Sequence, residues 1–258
     1  MSQAAPHGDA LVQEIGRLAV REGLGRHRAA YPSIAAAQRR HAGCVSVGAV
    51  IVAVLAVISL ATGYPALAMV LAVPLLIFLF AIVRYSGAAS RNEGSRLDLY
   101  EHGLTIAHGG RVRAVRNADT SVLQNIVRHT RYGQTTNITY AYTVTDTTGE
   151  QMTLSGGFAN PQEWGPVIQL AVTEAQFPQA ADRIIAGQRL DFGPLWLTSA
   201  EIGSGDKSVP WPQIEEVSVQ DGFVRVRVAG RWSSLTTTPV RRIPNFFIFR
   251  ALTERLQR

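Results

Sequence analysis

The spacing of apolar and polar positions changes period several times along this chain, and each change predicts an element. Residues 8–22 (GDALVQEIGRLAVRE) place Leu11, Ile15, Leu18 and Ala19 at helical spacing, with Arg17 and Arg21 opposite. This predicts a short amphipathic helix that Asp9 can cap and that Gly23-Leu24-Gly25 ends. Its stripe either packs on a soluble domain or lies on a membrane, and packing is the plainer expectation. Residues 33–41 lead helically onward. From Ala42 to Val83 polarity disappears, with 42 consecutive residues free of Asp, Glu, Lys, Arg and His. A bilayer core needs about 20 apolar helical residues, so the run predicts two spans, 42–61 and 66–83, around the turn Thr62-Gly63-Tyr64-Pro65. The rival is a buried core hairpin, but globular helices seldom run apolar on every face.

Both ends of such a hairpin emerge on one side. Arg26, Arg28, Arg39 and Arg40 precede the first span, Arg84, Arg91 and Arg96 follow the second, and the turn is uncharged. The positive-inside rule then makes both termini cytoplasmic. With 41 mostly polar residues in front, the first span does not read as a signal peptide. Neither span holds an ionisable side chain, so a proton or ion pathway is not expected and the hairpin reads as an anchor. Ala49, Ala53 and Ala56 share a face of the first helix, and Ala68 and Ala72 one of the second, as close packing in lipid requires. Pro74 is expected to kink the second without stopping it.

After Val83 the period becomes two. Leu97 and Leu99 alternate with Asp98 and Tyr100, and hairpin signals follow at Glu101-His102-Gly103 and His108-Gly109-Gly110. Longer strands are expected at 121–130, 137–146 and 151–155. Trp164, Val167, Ile168, Ala171 and Val172 then form a helical stripe behind Pro161, and a second helical stretch covers 178–187. Arg96-Leu97-Asp98 with Leu104-Thr105 recurs as Arg189-Leu190-Asp191 with Leu197-Thr198, each pair 93 residues apart. This suggests a duplicated β-unit. In the second, Trp211-Pro212-Gln213-Ile214 leads into strand 215–220, Val224, Val226 and Val228 alternate with Arg225 and Arg227, and Pro244 opens a closing helix.

The Tyr100–Leu104 turn, the antiparallel strands, Trp211 with Ile214 and the final helix resemble bacterial PH-like domains, from about residue 95 onward. Gly23-Leu24-Gly25-Arg26, Phe192-Gly193-Pro194-Leu195, Pro210-Trp211 and Ile243-Pro244-Asn245 are similar to an uncharacterised two-pass membrane protein family of high-GC Gram-positive bacteria. The resemblance implies an α+β membrane protein: an N-terminal segment (1–41), a transmembrane α-hairpin (42–83), and two antiparallel PH-like β-modules, 95–187 and 188–258, each closed by a C-terminal helix. It implies no activity. In the first module Arg116 or Ala118 stands where a tryptophan is expected.

Charge and chemistry narrow the reading further. Of 25 basic residues 24 are Arg, a bias that fits a GC-rich genome. The net +6 is too small and too spread for nucleic acid, yet favours proximity to an anionic leaflet. Cys44, the single cysteine, lies inside the first span and cannot form an intramolecular disulfide. Gly203-Ser204-Gly205-Asp206-Lys207-Ser208 lacks the glycines of a phosphate loop and reads as a surface turn. A metal site from His102, His108 and His129 would require three loops to converge, and Ser155 has no base beside it. No cofactor or enzymatic activity is therefore expected. Arg111 with Arg113 and Arg225 with Arg227, spaced by two, should point away from the core. With Arg84 and Arg91 they are candidate contacts to anionic lipid or a protein partner, against the simpler reading of a solvated face. Trp196, Trp211 and Trp232 are expected to fill barrel cores or seal their ends. The leading expectation is a non-catalytic cytoplasmic scaffold at the bacterial inner membrane. The alternatives are a small-molecule sensor or enzyme with a pocket between the modules, and a structural subunit of an envelope complex.

Overall fold

A computed structural model describes residues 6–131 and 134–257. Helix α1 (Pro6–Arg21) leads through Leu24 into strand β1 (His27–Pro32), and two long helices follow, α2 (Ala35–Ala61) and α3 (Pro65–Arg91). The chain returns directly to β2 (Arg96–Tyr100), β3 (Gly103–His108) and β4 (Arg111–Arg116). These form one antiparallel sheet in the order β1-β2-β3-β4. The α2–α3 hairpin is thus inserted between two hydrogen-bonded neighbours, with Ala30 opposite Asp98 and Tyr31 opposite Leu97.

β1 was not expected from the sequence, and it joins residues ahead of the hairpin to the sheet behind it. A charged staple reinforces the junction. The buried Asp98 carboxylate accepts both guanidinium hydrogen bonds of Arg96, at 2.7 and 2.9 Å, and lies 2.8 Å from His27 Nε2 on β1. A buried carboxylate without such partners would be strongly destabilising.

A second sheet, β5 (Val122–Arg131), β6 (Gln134–Thr145) and β7 (Gln151–Ser155), packs under the first. Its core holds Leu97, Leu99, Leu104, Ile106, Val115, Tyr142, Val144 and Leu154, closed by Trp164, Ile168 and Val172 of α4 (Pro161–Ile185). Tyr142 packs closely on α4 because Gly165 has no side chain there, and an added Cβ would meet the phenol ring at 2.4 Å. The other face of the first sheet is covered by α1, whose Ala19 is buried with Leu24, Tyr100 and Ala114, and whose Ile15 is buried as well. The amphipathic stripe is spent on protein.

The second unit repeats the plan. β8 (Leu190–Phe192), β9 (Leu195–Leu197), β10 (Glu201–Ser204) and β11 (Lys207–Pro210) form a four-stranded sheet. β12 (Ile214–Gln220), β13 (Phe223–Val228) and β14 (Thr236–Pro239) form a three-stranded one, and α5 (Phe246–Leu256) closes the unit. Gly205-Asp206 is a surface turn between β10 and β11, as expected.

Register corrects the repeat. Leu99 pairs with Leu104 and Asp98 with Thr105 in the first unit; Leu197 pairs with Ile202 and Trp196 with Gly203 in the second. Equivalent positions are therefore 98 residues apart, and the 93-residue spacing matches β2 to β8, strands that hold different places in their sheets. The similarity of Arg-Leu-Asp to Arg-Leu-Asp is local.

Helix α4 is continuous where two helical stretches were expected, because Pro178 sits within it without ending it. Its first half closes the first core, while Phe177, Ala180, Ala181 and Ile184 enter the second, beside Leu190, Phe246 and Phe249. Asn245 completes the join. Held at φ 49° before α5, it accepts from the Val122 amide (2.8 Å), donates its own amide to the Val122 carbonyl (2.9 Å), and donates Nδ2 to Gln176 Oε1 (2.9 Å). Gln176 in turn donates to the carbonyls of Asn117 and Thr120, both at 2.7 Å.

Candidate functional site

Three surfaces carry the sequence-derived candidates: the helical hairpin, the arginine strands and the junction between the units. α2 and α3 pack on each other through their smaller residues. Ala42 and Ala49 are buried, Ala53, Ala56 and Ala68 are half-buried, and Gly48 receives the Phe78 ring. Ala72 instead faces outward. The remaining surface is apolar and exposed, including Ile51, Val54, Ile58, Met69, Val73, Ile77 and Phe80. Only 11% and 6% of the most apolar stretches of the two helices are buried. So large a continuous apolar patch marks a surface that another apolar phase covers, a membrane or a protein, and the hairpin is not a core element of either unit. Both helices are long and apolar enough to cross a membrane.

The base of the hairpin is polar. Asn92 Nδ2 donates to Gln38 Oε1 (3.0 Å), Arg39 pairs with Glu93 (2.5 Å), and His41 stacks on Tyr85 with centroids 6.0 Å apart. Arg84 and Arg91 are exposed on α3 near this end.

The two arginine pairs behave differently. On β13, Arg225 and Arg227 point outward while Val224, Val226 and Val228 are buried. Arg227 is paired with Glu215 and Glu216 on β12; Arg225 has no ion-pair partner among the described residues. On β4 the expected sidedness is reversed. Val115 faces the core and Ala114 faces α1, which places Arg113 on the core side of its sheet. Both faces of this sheet are covered, so alternation alone could not tell inside from outside. Arg113 is half-buried and donates to Asp146 (3.0 Å) and Glu150 (2.5 Å) at the β6–β7 turn. Arg111, at the strand end, is exposed.

Burial pushes the Asp146 carboxyl up, and hydrogen bonds from the Thr148 hydroxyl and the Glu150 and Thr148 amides, with the Arg113 charge, outweigh it. Its pKa is held below the ordinary carboxylate value. Arg113 is thus a structural ion-pair residue of the first unit.

Trp196 and Trp211 are buried, and both indole N–H groups donate to backbone carbonyls at 3.0 Å, of Gly205 and Thr198. Trp232 departs from the expectation: it is fully exposed in the β13–β14 loop, 108% relative to an extended reference. Its neighbours Gly230, Arg231 and Ser233 offer no alternation that would mark it as surface.

At the junction of the units a cleft of about 330 Å³ opens between the last turns of α4, β8 and α5. Leu190, Phe192 and Ile248 form its apolar wall, and Gln176, Arg183 and Arg189 its polar one. Arg189 pairs with Asp191 (2.8 Å) and lies 4.4 Å over the Trp196 ring, and Arg183 donates to Gln188 (3.0 Å). Among the described residues no group of three or more His, Cys, Asp or Glu is placed to hold a metal.

These features define an α+β protein with two helices fit to span a membrane, followed by antiparallel sheets. The chain belongs to DUF6585, a family of unknown function whose sequence profile matches residues 2–258. It matches no curated protein and no solved structure.

Proposed function

We propose that the chain is an integral, two-pass protein of the bacterial inner membrane that holds two PH-like modules at the cytoplasmic face, as a non-catalytic binding platform for a protein partner or anionic head groups. The observation that carries this reading is the insertion point of the hairpin. β1 runs into α2, α3 runs back into β2, and the two strands are hydrogen-bonded neighbours, so both helix ends lie on one side. Arg39, Arg40, Arg84 and Arg91 cluster at that end, and the opposite turn carries no charge, which favours the cytoplasm for the sheets. Four strands, three strands and a closing helix in each unit support the PH-like assignment. The arginine-rich composition supports a high-GC bacterial source.

Proximity labelling from the C-terminus in native membranes tests the platform. Recovery of one enriched cytoplasmic or membrane protein is the expected result, and none across growth conditions would sink it. Carbonate extraction tests the anchor separately: the protein should remain with the membrane pellet.

A second reading has its own support. The cleft at the junction, with Arg183 beside an apolar wall and Arg189 paired to Asp191, suits a small ligand with one anionic group and an apolar body. A thermal-shift screen against anionic metabolites should give a hit that Arg183→Ala removes if this reading is right.

A further inference from the structure

From Gly222 to Thr253 the chain contains no Asp or Glu and six arginines. The fold gathers five of them around one sheet. β13 presents Phe223, Arg225 and Arg227 on the outer face of β12-β13-β14, with Thr237 opposite Arg225 and Pro239 opposite Phe223. At one end of β13 the following loop carries Arg231 and the fully exposed Trp232; at the other, the turn after β14 carries Arg241 and Arg242. Arg227 is neutralised by Glu215 and Glu216, and Asp221 is the nearest other acid in sequence. Arg225, Arg231, Arg241 and Arg242 are exposed and have no ion-pair partner among the described residues.

A tryptophan left wholly in water forgoes the burial of an aromatic surface of roughly 150–250 Å². Indole and guanidinium side by side match the interfacial zone of a bilayer, where the ring sits among head groups and the cation meets phosphate. We propose that this face of the second unit, led by Trp232 with Arg225, Arg231, Arg241 and Arg242, docks on the anionic membrane surface in which α2 and α3 are embedded. The proposal rests on reading those helices as a membrane anchor. It adds a second, reversible contact made by a surface remote in sequence from the hairpin, and this contact fixes how the second unit faces the bilayer. A membrane is favoured over a protein partner because the face offers positive charge and one protruding ring, not a recessed apolar groove.

The test uses the full chain in nanodiscs whose anionic lipids carry brominated acyl chains, which quench indole fluorescence at short range. α2 and α3 contain no tryptophan, and Trp164, Trp196 and Trp211 are buried in the soluble units. The difference between the wild type and Trp232→Phe therefore reports Trp232. Quenching of the Trp232 signal is expected in anionic discs at low salt, with its loss in neutral discs or at high salt. Each Arg→Glu change at 241 or 242 should lower the docked-to-free ratio about fivefold or more, since one arginine near the surface contributes that factor. Trp232 that stays open to aqueous acrylamide and untouched by bromolipid in anionic discs at low salt overturns the proposal. So does Trp232 shielded from acrylamide in native membranes without bromolipid quenching, because a protein then covers it. Failure of the anchor reading looks different: the chain leaves the membrane on carbonate extraction, whatever Trp232 does.

Discussion

At the scale of single residues, Asn245 does more than its position before a helix suggests. Its left-handed backbone, which few side chains adopt without strain, aims both its amide and its side chain at Val122 of the other unit. Asn245→Ala should cost roughly 2 kcal/mol, from lost hydrogen bonds and backbone strain together. Asn245→Gly keeps the conformation and loses only the side-chain bonds, so denaturant unfolding of the two variants separates the terms. Asp146 makes a prediction in pH. Its folded-state pKa is depressed, so its contribution is complete above the unfolded-state value and is lost as pH falls through the folded one. Unfolding free energy should therefore drop on acidification below the ordinary carboxylate range, and Asp146→Asn should be less stable at neutral pH with a flatter acid limb. Arg113, half-buried, shows why such a partner was illegible beforehand. Strand alternation was read correctly, but with α1 on one face of the sheet and the core on the other, neither side was the solvent side. Trp232, expected to fill a core or seal its end, is fully exposed, and nothing in Gly230–Ser234 signals the exception.

Elements were legible in proportion to the strength of their period. α1 and β5 to β7 fall within a few residues of expectation, and the two expected spans lie inside α2 and α3, which extend past them at the polar base, because each carries a sustained pattern. β1 (HRAAYP) does not. It is six residues long, rich in alanine, ends in proline and has its partner on the far side of the hairpin. Its strand character comes from tertiary pairing, which local pattern cannot express. Two helical stretches are expected where α4 is one; Pro178, at the start of the second, removes a helical hydrogen bond, and packing on two cores at once carries the helix through. The close approach of Tyr142 to α4 depends on Gly165. Gly165→Leu should destabilise the protein by about 1–3 kcal/mol through overpacking. If contact with the ring is the cause, Tyr142→Ala combined with it should cost less than the sum of the two, which a double-mutant cycle by chemical denaturation measures.

Across the whole molecule, a four-stranded and a three-stranded sheet occur twice in the same order, and the sequence repeat is offset from that plan by one strand. The two units are joined as a single body by α4 and Asn245, so a cut placed between residues 187 and 188 leaves each half lacking part of its support. The expected outcome is that residues 188–258 alone lose cooperative unfolding, because Phe177, Ala181 and Ile184 are missing from their core. Adding residues 161–187 should restore part of it, as judged by the sharpness of the thermal transition. The candidate sites were less legible than the fold. Arg225 and Arg227 lie on an outer face as the alternation required, yet Trp232 beyond one end of β13 and Arg241 and Arg242 beyond the other belong to segments without a period and are brought to that sheet only by the fold.

The placement of β1 has a consequence for biosynthesis. A ribosome releases this edge strand before the two apolar helices and its neighbour β2 after them, so the first sheet cannot zip shut until both helices have found their place. On the two-pass reading proposed above, a nascent polypeptide that threads only one of them would strand β1 and β2 in different compartments, each with bare amides inviting aggregation. On that same reading, completion of the sheet certifies correct insertion, and translocation errors become visible to quality-control proteases as an unclosed sheet.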